Sequence, residues 1–213
     1  MTNEEMEAFI GGRIETISAL EVNPALANTN GLLLHLIPEH FNNNNPINWN
    51  DPDRQFKIKH AFRNFNGLDT VYSDQGHILG YTPNNKYFIL NQTGIIEVFV
   101  NPIVIDNQFN NNLNYIIIDN VFISVHNFIE ASKAVHRIIY SSLPPYYIYV
   151  SLLGIQGDYF LSRNHNYQTL NPFPAENGRF DQFSLNNLND NIMREIIATI
   201  NSGNKASPWQ KIF

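Results

Sequence analysis

The chain has 213 residues, a formal net charge of −6, 43% hydrophobic and 13% aromatic residues, and no cysteine. That length and apolar content suffice for one buried core. The missing thiols exclude disulfides, cysteine nucleophiles and cysteine-ligated zinc. The acidic balance runs against the basic face from which most nucleic-acid binders draw their affinity.

Charged residues make up 15% of the chain, against about a quarter in ordinary domains. Asparagine fills much of the difference with 33 positions, so the surface is expected to be rich in amides. The first residues, MTNEEMEAFIGGR, carry acids where a leader would need bases, and no segment approaches the ~18 consecutive apolar residues of a membrane span. The expectation is a cytoplasmic chain.

In chain order, Thr2 and Glu5 form a T-x-x-E capping box. Met6, Ile10, Ile14, Ile17 and Leu20 then recur at helical spacing, so residues 1–20 are expected to form an amphipathic docking helix. Gly11-Gly12 weakens it by about 1 kcal/mol per glycine. GLLLHLIP, residues 31–38, is a short apolar run closed by proline, the pattern of a buried strand. The Asn-, Asp- and Pro-rich residues 42–53 follow as an exposed loop. GLDTVYS, HILGYT, KYFIL and GIIEVFV are strand-like runs parted by SDQG, PNN and NQTG. Turn chemistry at each junction predicts a β-meander. Asn91-Gln92-Thr93, formally a glycosylation sequon, reads as one of these turns.

Further strands are expected at 103–105 and 115–118. The strongest helix is predicted over 120–141, capped by Asp119 or Asn120 and ended by Pro144-Pro145. Phe122, Val125, Ile129, Val135, Ile138 and Ile139 form its apolar face, and Glu130, Lys133 and Arg137 its solvated, ion-paired face. YYIYVSLLGI reads as a buried central strand turning at Gln156-Gly157-Asp158 into YFLS. Residues 166–178 read as an exposed loop, and 189–201 as a final amphipathic helix. The fold class is α+β: one domain over residues 1–213, a largely antiparallel β-meander sheet with N-terminal, central and C-terminal helices.

Candidate chemistry is sparse. The seven histidines show no H-x-H or H-x-x-x-H spacing, so no metal site is expected, and His35 within LLLHLIP reads as a hydrogen-bonded core histidine. Asp69, Asp74 and Glu97 in the meander could converge for acid–base work in a carboxylate-dependent hydrolase. Asp74 also suits a turn, and Asp69 and Glu97 alternate with apolar neighbours as solvent-face residues do. On that basis all three should tolerate alanine, and no catalytic residue is assigned. Gly154-Ile155-Gln156-Gly157 has the G-x-x-G form of some RNA-clamping loops, but strand-like runs flank it, favouring a hairpin turn. Nucleotide-binding glycine loops and the G-x-S-x-G elbow are missing, and no cofactor is expected. Tyr140, Tyr146, Tyr147 and Tyr149 suit sheet packing, or an interface. Arg54, Lys57, Lys59 and Arg63 are the densest basic group and the candidate nucleic-acid contacts. Four cations against a net charge of −6 predict weak binding at physiological salt.

GRIETISAL, GLLLHLIPEHF, RNFNGL, TGIIEV and VSLLGIQG occur in that order between Arg13 and Gly157. In order and separation they resemble the C-terminal region of bacterial Schlafen/AlbA-type ATP-binding, transcriptional-regulator-like proteins, where an hLhLIPxxxF strand, an NFDGL turn, an NGxIE turn and an SLLGVxG strand recur. The resemblance implies a non-enzymatic accessory or interaction module of a nucleic-acid-associated or regulatory system. Its partner would be a nucleic-acid-binding or ATP-binding protein. The family's N-terminal E-F-K strand and G-G-x-L-x-I-G-V segment have no counterpart here, so no catalytic residue is carried over. Asn66 replaces the family's Asp in NFDGL, which speaks against an acid site at that turn.

Limited proteolysis checks the domain organisation. First cuts are expected within 42–53 or 166–178, leaving one cooperative unit. Release of two separately stable halves would contradict it.

Overall fold

A computed structural model describes residues 3–18, 31–38, 47, 51–63, 70–74, 77–81, 87–100, 114–140, 146–162, 167–168 and 178–181. Helix α1 (Asn3–Ser18) is followed by strand β1 (Gly31–Pro38) and helix α2 (Pro52–Arg63). Strands β2 (Thr70–Asp74), β3 (His77–Tyr81), β4 (Tyr87–Asn91) and β5 (Ile96–Val100) form the meander. Then come β6 (Tyr115–Ile117), α3 (Ile118–Ile139), β7 (Tyr146–Leu153), β8 (Tyr159–Ser162), β9 (Tyr167–Gln168) and β10 (Gly178–Asp181). The class is α+β, as the sequence predicts.

Seven strands make an antiparallel sheet in the order β10-β7-β1-β5-β4-β3-β2. The chain leaves β1 through α2, reaches the far edge at β2, and returns through the meander until β5 pairs with β1. The register is His35 opposite Glu97 on one side and opposite Tyr149 on the other.

Every residue of β1 is buried, because both faces of the sheet are covered. Alternate side chains go to opposite layers, as the two-residue period of a strand requires. Leu32, Leu34, Leu36, Phe88, Ile96, Val98, Ile148 and Val150 pack with Ile58 of α2 and with Val121, Val125, Phe128 and Val135 of α3. Leu33, Ile37, Tyr87, Phe99 and Tyr149 pack with Met6, Ile10 and Ile14 of α1. The three α1 residues fall four apart, one stripe of the helix.

Several expectations change. Residues 52–63, the first two of them placed in the 42–53 loop, form α2. Asp51 starts the helix: its Oδ1 accepts from the backbone N–H groups of Asp53 (3.0 Å) and Arg54 (3.2 Å), and Pro52 occupies the first helical position, where its missing N–H costs nothing. Helix α3 begins at Ile118 rather than 120. Its N-cap is Ile117 with no side-chain cap, since β6 runs straight into the helix and leaves no turn for Asp119 or Asn120 to cap. Gly154 (φ 64°) and Gly157 (φ 85°) do not close a hairpin. They carry the chain out of the large sheet into a second one, β6-β8-β9, where β8 runs parallel to β6. Tyr167–Gln168, within the 166–178 loop, is the third strand of that sheet. The strand expected at 103–105 and the helix at 189–201 lie outside the described residues.

Gly11 lies mid-α1, and a Cβ there would meet nothing within 4 Å. Gly11→Ala should therefore raise stability by about 0.4–1 kcal/mol, chiefly by restricting the unfolded chain. Thermal unfolding checks this, and a lower Tm would mean that the helix needs its glycine.

Candidate functional site: a buried carboxylate and a basic helix

Glu97 lies on the α1 side of β5 and is 3% exposed. This corrects the solvent-face expectation. Alternation with apolar neighbours signals a wet face only when that face is open, and here α1 closes it. Four donors converge on the carboxylate. Arg13 Nε reaches Oε2 at 2.7 Å and Arg13 Nη2 reaches Oε1 at 2.8 Å. Tyr87 donates its hydroxyl to Oε1 at 2.7 Å and His35 its Nε2–H to Oε2 at 3.0 Å. His35 is wholly buried and edge-on to Phe9 at 5.8 Å, so it is the hydrogen-bonded core histidine that the sequence suggests. Its Nδ1 has no hydrogen-bond partner among the described residues.

Burial alone would raise the Glu97 pKa. The Arg13 guanidinium and the His35 hydrogen bond outweigh it and hold the carboxyl well below its ordinary range. Arg13 is stabilised as the cation by the same contact, against its own desolvation. Tyr87, buried and facing the carboxylate, is pushed well above its ordinary value. Every atom of the carboxylate is thus engaged from within. The arrangement fixes a helix to a sheet.

A second polar knot joins the β4–β5 turn to α3. Asn91 Oδ1 accepts from the N–H groups of Thr93 and Ile95, both at 3.0 Å, and from the Thr93 hydroxyl. Gly94 takes φ 86°, and a Cβ there would collide with the Tyr140 hydroxyl. Its carbonyl accepts from His136 Nε2 at 2.7 Å. His136 is wholly buried and stacked on Tyr146 at 5.1 Å. Burial lowers its pKa from 6.5 to about 4, although the Gly94 hydrogen bond works the other way.

The basic group falls on α2. Arg54 comes within 4.0 Å of Asp51. Lys57 and Lys59 lie about 160° apart around the helix, with buried Ile58 between them on the inward side. They therefore flank the outward face, whose centre is Phe56, stacked on His60 at 6.4 Å, and Arg63 ends the helix. Asp69 lies outside the described residues, and Asp74 pairs with His77 at the β2–β3 edge of the large sheet. No three His, Asp or Glu residues among those described are placed to share a metal ion. No described helix is long and apolar enough to cross a membrane.

The Glu97 knot had a legible signal: Arg13 interrupts the apolar stripe of α1, and His35 interrupts an apolar strand. Two polar groups stranded in apolar patterns call for a shared buried counter-charge. The α2 face was legible only in part: its four basic residues stand out in the sequence, but the helix that places Phe56 among them was not predicted.

No protein-family model, no curated protein and no solved structure matches the chain.

Glu97→Ala leaves Arg13, His35 and Tyr87 facing an uncompensated gap, and Arg13→Ala leaves a buried charge. Each should cost about 3–5 kcal/mol, whereas replacing both residues by leucine should cost much less. Denaturant unfolding of the two alanine variants and the double-leucine variant tests this, and additive losses would dissolve the pairing.

The second knot predicts acid lability. The unfolded chain takes a proton on residue 136 near pH 6.5 and the folded chain only near 4, so stability falls as pH drops through that window. The loss is on the order of 3 kcal/mol at about 1.4 kcal/mol per pKa unit. Glu97, with its lowered pKa, adds a loss of the same sign below the ordinary carboxylate range. His136→Gln should flatten the profile between pH 4 and 6.5, and an unchanged slope would place the titration elsewhere.

Proposed function

We propose that the chain is a non-enzymatic accessory module of a bacterial nucleic-acid-associated or regulatory system, working by binding a protein partner. The Schlafen/AlbA resemblance suggests the setting. The observation that carries the interaction reading is the placement of its exposed apolar groups. Among the described residues, Phe56 is 70% and Ile123 57% exposed, one on each of the two helices, α2 and α3, that pack together beside the sheet. Aromatic groups left in water are the usual anchors of protein interfaces. The residues best suited to acid–base work, Glu97 and His35, are engaged inside the core. That favours a scaffold role for them over the hydrolase alternative.

Coexpression with the products of neighbouring genes, followed by size-exclusion chromatography, tests the proposal. A stable complex is expected with wild type and should be lost with Phe56→Asp or Ile123→Asp at unchanged Tm. An uncomplexed chain that hydrolyses phosphodiesters or esters, with activity removed by Asp69→Asn or Asp74→Asn, would replace it with the hydrolase reading.

A further inference from the structure

Helix α2 concentrates positive charge in an otherwise acidic chain. Arg54, Lys57, Lys59 and Arg63 against Asp53 give it a formal charge of +3. With −6 for the whole chain, the remainder carries −9. The helix is about 18 Å long, at 1.5 Å per residue. Its outward face presents an aromatic knob, Phe56 on His60, with Lys57 and Lys59 on either flank. Lys57 is exposed and Lys59 partly so, and Phe56 is the most exposed large apolar side chain among the described residues.

An apolar knob between cations sets two demands on an occupant. It must cover Phe56, because burying a phenylalanine side chain is worth about 1.5–3 kcal/mol. It must also place negative charge on both sides of that contact, within the length of the helix. We propose that the outward face of α2 docks a short acidic protein segment carrying a large apolar or aromatic anchor. This inference rests on the interaction reading above and names the chemistry of the partner. Charge distribution favours a short peptide over a nucleic acid. A long polyanion works against the net −9 of the remainder, whereas a short acidic segment brings only a few charges to the helix. Lys57 and Lys59 attract the segment and set its register, and Phe56 supplies the contact that distinguishes an anchored acidic peptide from a merely charged one. Electrostatic attraction of this kind acts mainly on encounter rate and register and weakens with salt.

Fluorescence anisotropy with the full chain provides the test, using three synthetic 12-residue probes: Glu/Asp peptide with a central Trp, the same peptide with Ala for Trp, and a single-stranded oligo-dT. The Trp peptide should bind at least about tenfold more tightly than the Ala peptide, and more weakly as salt rises. Phe56→Ala should remove the difference between the peptides, and Lys57→Glu with Lys59→Glu should remove binding of both, with Tm unchanged in each variant. Equal affinity for the two peptides, or a Trp preference that survives Phe56→Ala, overturns the proposal. So does tighter binding of oligo-dT that depends on Phe56 and the lysines, which would assign the face to nucleic acid. Absence of peptide binding, alongside a coexpressed complex that Phe56→Asp disrupts, refutes the acidic-anchor chemistry while the interaction reading stands.

Discussion

The α1 layer depends on one carboxylate held out of water. Moving an ion from water into a protein interior costs several kcal/mol even after relaxation, so Glu97 can remain charged only because four donors meet it. Those donors come from three places: the helix, strand β1 and strand β4. Met6, Ile10 and Ile14 make α1 adhere to the sheet, but apolar contact has no direction and would tolerate a slide by a turn. The bidentate Arg13 contact does not tolerate it, since a planar fork accepts one geometry. Apolar burial supplies the adhesion and the ion pair supplies the register.

The opposite face is secured in a related way. There α3 and α2 bring a larger apolar surface to the sheet, and His136 ties α3 to the backbone of the β4–β5 turn. The same turn, through the carbonyl of Gln92, accepts the N–H of Ile47 at 3.0 Å. Glycine is required at position 94 because φ is positive and the Tyr140 hydroxyl lies where a side chain would begin. The meander is thus pinned on both sides by a buried histidine, His35 toward α1 and His136 toward α3. The two differ in partner, a carboxylate in one case and a carbonyl in the other.

These uses of polar groups bear on function. The Glu97 carboxylate, with both oxygens engaged from within and α1 over it, is poorly placed to meet a substrate. Among the described residues, α2 presents cations and an aromatic ring on a face that packing leaves open. Helix α2 is a crossover between β1 and the far edge of the sheet; Ile58 enters the core and Ala61 packs against it, while Phe56 and Lys57 stay exposed.

The sequence by itself determined the class and most of the strands. Turn residues at SDQG, PNN and NQTG delimit the meander, and the proline after GLLLHLI ends β1, because these are local backbone constraints that act before any tertiary contact forms. Helix α3 was equally plain from its apolar periodicity. The phase of Glu97 was not, because a period of two says which residues share a face but not whether water or a helix covers it. The parallel pairing of β6 with β8 was also hidden, since partner choice between strands about 40 residues apart carries no local signature. Helix α2 announced its start through Asp51-Pro52, yet its mixed composition concealed it behind the Asn-rich stretch before it. Tertiary structure decided that Glu97 is the carboxylate that Arg13 and His35 share and that Phe56 does not join the core. Both outcomes depend on which faces remain after the helices have docked, and that is a property of the whole assembly of elements.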